Sequence, residues 1–266
     1  MVAVSICPPC ETAFTVRTDC TAVRDSLLVS HGRFARPGDA PGGSVITVER
    51  RGAAYCVTAF GRCVQTQTPL FEIGNMMHEH RQFSPEIFAL HGGAVEHNGG
   101  AVLLLAPSTT GKTTLTAYLA HLGFGYVTDD CILLDRESFA VRPHAAPLHL
   151  REGGFRVLEK MGAAPADYRF CGDGAALRRA YTPERCVEAP LPLKRIFFIE
   201  RSEHENGIRK MNTTEKTIEL LKSPITNYEM TAEYLAFISR LAKVPCTRLV
   251  YCDMDYVADV IKKDIY

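Results

Sequence analysis

No apolar run in this 266-residue chain approaches the ~20 residues that a bilayer-spanning helix requires, so a membrane-embedded protein is not expected. Charge of one sign is not in excess either, because 30 Lys and Arg stand against 30 Asp and Glu. A chain without a net field has little to draw it onto a polyphosphate backbone or an anionic leaflet, and neither nucleic acid nor membrane is expected as a partner. The opening MVAVSICPPCETAF lacks the basic segment, apolar stretch and small-residue cleavage site of a secretory leader, so a cytoplasmic location is expected. The ten cysteines then read as reduced thiols, several of them buried as small hydrophobes. Cys7 and Cys10 have redox or half-zinc-site spacing, but Cys20, Cys56 and Cys63 form no matching second pair. Internal repeats and low-complexity segments are also missing.

What is present is a globular composition, 46% apolar and 23% charged. The length suits one main domain with an appended lobe. Residues 1–84 form the lobe, rich in strands: FTVRT, SVITVER, AAYCVTAF and CVQTQ carry β-branched and aromatic residues, and RPGDAPGG is a loop. Leu70, Ile73, Met76 and Met77 recur at helical intervals and predict a helix from Pro69 to about Gln82. His78 and His80 fall two apart on it, so they point to different faces and read as solvated rather than metal-binding. Residues 85–266 form the second domain, mixed α/β, beginning with the strands EIFALHGG, AVEHNGG and AVLLLA. HNGG is a hairpin turn, since Asn and Gly accept positive φ. CILLD, FAVRP, RIFFIER and TRLVYC are further strands, with helices near Thr213–Lys222 and Glu229–Ala242 and a last one at the end.

The segment that carries chemistry is APSTTGKT, Ala106 to Thr113, which fits the phosphate-loop pattern [AG]-x-x-x-x-G-K-[ST]. Such a loop aims backbone N–H groups inward around phosphates and adds the partial positive charge of a helix N-terminus. The pattern alone arises by chance in roughly a few per cent of chains this size; its context decides. The strand AVLLLA precedes it, and Leu115, Tyr118, Leu119 and Leu122 follow at i, i+3, i+4 and i+7 before Gly123 stops the helix. Ala106, Pro107, Ser108, Thr109, Thr110, Gly111, Lys112, Thr113 and Thr114 are therefore the nucleotide-binding candidates. Lys112 would reach the β- and γ-phosphates, and the Thr113 hydroxyl would ligate Mg²⁺. After the helix, GFGYVTDD returns as a strand and delivers Asp129 and Asp130 at its end, where ligands gather in α/β sheets. Adjacent residues leave a strand in opposite directions, so one carboxylate can face an acceptor hydroxyl and the other a metal ion.

LHGGAV at Leu90–Val95, APSTTGKTTL at Ala106–Leu115 and YVTDDCILL at Tyr126–Leu134 resemble the kinase domain of bacterial HPr kinase/phosphorylase and its smaller relatives. The resemblance implies an α/β fold of the HPr kinase and PEP carboxykinase-like phosphate-loop type over 85–266, and a serine kinase using ATP and Mg²⁺. It implies Asp129 as the base that takes the hydroxyl proton, His91 as the histidine beside it, and Asp130 as a Mg²⁺ ligand. Arg151 is a further candidate for a γ-phosphate contact, because developing charge in a loose transition state favours a nearby guanidinium. The family's Gly-rich segment has only a loose counterpart in CGDGAALRRA at Cys171–Ala180, so reverse phosphorolysis is not carried over. The expected partner is a protein or peptide presenting a Ser or Thr hydroxyl, and a homo-oligomer is compatible with this. A kinase for a small hydroxylated metabolite needs the same loop and base, and a non-catalytic ATP-binding module needs only the loop; both stay open.

Overall fold

The structure is a computed structural model that describes residues 1–107, 110–169, 177–225 and 228–263. In chain order its elements are β1 (Val2–Ile6), β2 (Phe14–Thr18), α1 (Thr21–His31), a 3-10 turn (Gly32–Phe34), β3 (Ala35–Pro37), β4 (Ser44–Arg51), β5 (Ala54–Ala59), β6 (Arg62–Thr66) and α2 (Pro69–Glu79). Then come β7 (Ile87–Leu90), β8 (Gly92–His97), β9 (Gly100–Leu105), α3 (Lys112–His121), β10 (Gly125–Thr128), β11 (Ile132–Asp135), β12 (Ala140–Arg142), β13 (Leu148–Leu150), α4 (Glu152–Lys160), β14 (Ala166–Arg169) and β15 (Leu177–Tyr181). The last are β16 (Leu191–Arg201), β17 (Gly207–Lys210), α5 (Thr213–Leu221), α6 (Ala232–Leu241), β18 (Cys246–Tyr251) and α7 (Met254–Lys262). The class is mixed α/β.

Contacts divide the chain into two compact units, Met1–Ser84 with Ala146–Thr182 and Pro85–Ala145 with Pro183–Tyr266. The first holds a six-stranded sheet in the order β3-β1-β2-β4-β5-β6, antiparallel except for β2 against β4. Alternate residues Val4 and Ile6, Phe14 and Val16, and Ile46 and Val48 turn one face inward, where Val23 and Leu27 of α1 and Leu70, Ile73 and Met76 of α2 cover it. No helix is expected from sequence at α1. Its cap, Cys20, makes no side-chain hydrogen bond to the helix's own backbone and its first turn has no acid, so neither start signal marks it; burial against the sheet holds it in place. The helix α2 ends at Glu79, and the exposed His80 ring stacks on Phe60 at 3.5 Å between centroids rather than standing free in solvent. Neither Cys7 nor Cys10 is in a disulfide among the described residues.

Residues 146–182 were expected in the second domain, yet they pack with the first unit. Their strands form a separate three-stranded sheet, β13-β15-β14, against which α4 and α1 lie. Gly32, at φ +50, makes room for this segment: a Cβ there would stand 2.6 Å from Pro147 Cγ. Contiguity in sequence conceals an excursion of this kind. Most of CGDGAALRRA lies outside the described residues.

The second unit carries a nine-stranded sheet with β10-β8-β9-β16-β12-β11-β7 in order, β18 paired to β16 and β17 to β18. The strands β9, β16 and β18 are parallel. Because β8 is antiparallel to both β9 and β10, β10 runs the same way as β9. The carboxyl ends of these four strands therefore lie along one edge of the sheet. Leu103, Leu105, Ile196 and Phe198 face Leu220 of α5 and Phe237 and Ile238 of α6. On the other face, Leu104, Phe197, Ile199 and Leu249 meet Leu115 and Leu119 of α3 and Val257 and Ile261 of α7. Burial on both faces is why AVLLL and RIFFI read as continuous apolar runs instead of alternating. Among the described residues no helix is long and apolar enough to cross a membrane.

Candidate active site

The strand β9 ends at Leu105 and α3 begins at Lys112, so one turn joins the central strand to a helix. Ser108 and Thr109 of that turn lie outside the described residues. Gly111 takes φ 93 immediately before the helix, a conformation that costs glycine little and other residues much. Lys112 is buried, and its Nζ donates to the carbonyls of Ala106 at 2.8 Å and Pro107 at 3.1 Å. The Thr110 hydroxyl donates to the same Pro107 carbonyl at 2.8 Å. Thr113 and Thr114 follow on the first turn of α3, both half-buried. A helix start leaves backbone N–H groups without intrahelical partners and carries partial positive charge, which suits an anion.

The acidic pair reaches the same edge of the sheet. Thr128 of β10 lies opposite Ala94 of β8, which in turn lies opposite Leu103 of β9. Asp129 therefore emerges two strand spacings, about 10 Å, from the strand that feeds the turn. It is 8% exposed, whereas Asp130 is open to solvent. Asp130 adopts φ 64, uncommon outside glycine, and its carbonyl stands 3.2 Å from His91 Nδ1. A carbonyl can only accept, so this hydrogen bond requires the proton on Nδ1. The His91 N–H donates to the Ser223 carbonyl at 2.6 Å, fixing the backbone from the other side.

One glycine brings the helix down onto this edge, and its neighbour clears the opposite face of the sheet. A Cβ on Gly93 would stand 2.1 Å from Thr116 Oγ1 of α3, and one on Gly92 would meet Leu105 Cδ2 at 2.6 Å and the Leu104 carbonyl at 2.8 Å. The bare Gly93 position lets α3 sit close enough for Thr113 to hydrogen-bond the Asp129 carboxylate across β8. Gly93→Ala is expected to destabilise the fold by about 1–3 kcal/mol through overpacking and to move α3 off the acidic pair. A urea titration of the purified variant checks this, and an unchanged midpoint would show that the close approach is not needed.

Burial pushes Asp129 well above the ordinary carboxylate range, and the Asp130 charge pushes it further; the Thr113 hydroxyl, the Lys112 charge and the Asp130 backbone N–H pull the other way. Lys112 is shifted down by its own burial against the opposing pull of Asp130 and Asp129. Asp129 Oδ1 is buried with no hydrogen-bond partner. A buried acceptor of this kind costs free energy unless a donor engages it, and the oxygens of Asp130 and Thr113 beside it are the kind a hard divalent ion prefers.

No protein-family model matches the chain, and no curated protein matches it. A solved structure is similar. It is that of the HPr(Ser) kinase/phosphatase from Coxiella burnetii, alike over 66% of this chain and 89% of that one at 14% identity, with a TM-score of 0.32. At so low an overlap, the functional reading rests on the side chains themselves.

Of the residues singled out from sequence, Ala106, Pro107, Thr110, Gly111, Lys112, Thr113, Thr114, His91, Asp129 and Asp130 all belong to the second unit and line one sheet edge. Arg151 belongs to the first unit, where it is the residue before α4. Gly92 and Gly93 are not among the residues expected to matter, although the doublet in LHGGAV is the available signal. Nor is Tyr251 at the end of β18, whose hydroxyl lies 3.7 Å from where a Cβ on Gly111 would stand. Nothing in the sequence marks that contact, because β18 meets the turn only through strand order.

Proposed function

We propose that this chain is a phosphotransferase that moves the γ-phosphate of ATP, with Mg²⁺, to a Ser or Thr hydroxyl of a protein or peptide. The observation that carries the reading is Asp129, a buried carboxylate with one unpartnered oxygen, held against the first turn of α3 where Lys112 and Thr113 stand. A protein that only binds a nucleotide gains nothing from a buried carboxylate beside a second acid, whose repulsion and desolvation are both unfavourable.

In this reading the N–H groups at the start of α3 and the Lys112 ammonium hold the phosphate tail and offset its charge. Thr113 and Asp130 would hold Mg²⁺, which supplies further charge neutralisation on the phosphates when bound. Asp129 accepts the proton of the attacking hydroxyl; its raised proton affinity brings it closer to the working pH, where a general base is most effective. His91, with Nδ1–H committed to the Asp130 carbonyl, holds the turn that separates the two carboxylates. Positioning and electrostatics then provide most of the acceleration, since the phosphoryl group itself needs little covalent help.

The test is incubation of the purified protein with γ-labelled ATP, Mg²⁺ and peptides encoded beside its gene, read by mass spectrometry. Label on a Ser or Thr of one peptide is the expected result. ATP turnover that labels only small alcohols would move the acceptor class to metabolites, and no ATP binding at all would end the reading.

A further inference from the structure

We propose that Arg201 is the guanidinium on which the base of the nucleotide stacks, making the carboxyl ends of β16 and β18 the nucleoside side of the site. The inference deepens the phosphotransferase reading and rests on it. It starts from a direction. The acceptor end of a triphosphate must lie by Asp129 and Asp130, which emerge from β10, on one side of β9 in the order β10-β8-β9-β16. A linear phosphate tail seated at the start of α3 with its γ end on that side has its nucleoside end on the other. There the sheet continues into β16 and β18.

Arg201 is the last residue of β16. Phe198 is level with Leu105, the last residue of β9, so Arg201 lies three residues further on, about 10 Å along the strand direction and beside the turn. Its face follows from alternation. Phe197 and Ile199 pack with Leu115 and Leu119 of α3, whereas Ile196 and Phe198 pack on the opposite face. Arg201 thus projects on the α3 face, where the turn enters the helix. It is level with Tyr251, the residue whose hydroxyl lies nearest the Gly111 Cβ position. Burial pushes the Tyr251 phenol up, and the Arg201 charge opposes that shift, which places the guanidinium in the same neighbourhood.

The surroundings hold this position firm. The Ser202 N–H donates to the Tyr251 carbonyl at 2.8 Å, and the Asn206 side-chain oxygen accepts from the backbone N–H of Cys252 at 2.9 Å and Asp253 at 3.3 Å. The two loops that follow β16 and β18 are therefore tied into one shelf. Arg248, on the neighbouring strand, is neutralised by Glu200 and Glu219. Arg201 is exposed and forms no ion pair or hydrogen bond among the described residues, which leaves its planar face available. A guanidinium over an aromatic ring is attractive, more so when one side of the pair is shielded from water.

Calorimetric titration of wild type, Arg201→Ala and Arg201→Lys with Mg-ATP and with Mg-tripolyphosphate tests the assignment. Both variants are expected to bind ATP about 5- to 30-fold more weakly and tripolyphosphate as wild type does, because the lysine keeps the charge but not the flat face. Equal weakening of both ligands by Arg201→Ala, with rescue by Arg201→Lys, would put the residue on the phosphates and overturn the stacking assignment. Unchanged ATP affinity in both variants would overturn it too, while leaving the phosphotransferase reading intact. Wild type that binds neither ligand would remove that reading and this one with it.

Discussion

Replacing Lys112 with alanine is expected to reduce phosphate transfer by at least 10²–10³-fold, the loss that follows removal of one well-placed donor to developing charge. Lys112 is the first residue of α3 and is buried, with its ammonium held by the carbonyls of Ala106 and Pro107. Burial lowers its proton affinity, but Asp130 and Asp129 work against that shift, so the charge is supported by the same acids it serves. An ammonium at the start of a helix adds a full charge to the partial one already there. The variant should stay folded, because the two lost hydrogen bonds are offset by relief from a buried charge. Two measurements separate chemistry from folding. Circular dichroism should be unchanged. The stabilisation by ATP, about 2.7 kcal/mol at a hundred times the dissociation constant in the wild type, should largely vanish. Transfer at the wild-type rate in this variant would exclude the turn as the phosphate site.

Asp129→Asn is expected to lower transfer about 10²–10⁴-fold, the usual contribution of a positioned base, and at the same time to raise the stability of the nucleotide-free protein. The second effect follows from the sign of the shift. The folded-state carboxyl binds its proton more tightly than the unfolded one, because burial and Asp130 disfavour the anion. The native state therefore holds more protons in the interval from the ordinary carboxylate range up to the raised value, and stability falls as pH rises through it. Above that interval the ionised Asp129 is a net cost, which a neutral amide of the same shape avoids. A gain of about 0.5–2 kcal/mol at neutral pH is expected, comparable to other stabilising changes at functional sites. Because wild type regains its proton in acid, the gain should shrink as pH falls toward the ordinary carboxylate range. Thermal melts of both proteins across the pH range read this directly. A variant less stable than wild type at neutral pH, or one that transfers phosphate normally, would count against a strained buried base.

Much of the second unit was legible in the sequence because its signals are local. The apolar run Ala101–Leu105 and the stripe Leu115, Tyr118, Leu119 and Leu122 are determined by neighbours in the chain; the structure buries the run, Leu115 and Leu119, and leaves Tyr118 and Leu122 half-buried. The adjacency of Asp129 and Asp130 implied two carboxylates that diverge, but not which of them is buried; the structure buries Asp129 and exposes Asp130. By contrast α1 carries no cap or first-turn acid to announce it, and residues 146–182 look like a continuation of what precedes them. Arg151 was attractive by its charge alone, and its place in the first unit comes from the excursion of the chain.

By itself, then, the sequence determined the strand, turn and helix around Lys112 and the delivery of two acids at a strand end, since hydrophobic period and turn chemistry act over a few residues. Only the tertiary structure decided that β8 would lie between those two features with Gly93 thin enough for α3 to close over it. It alone brought the ends of β16 and β18, with Arg201 and Tyr251, to the same edge. The reason is physical: strand order and close approach are set by which faces can be buried together, and residues far apart in the chain learn of one another only when the sheet assembles.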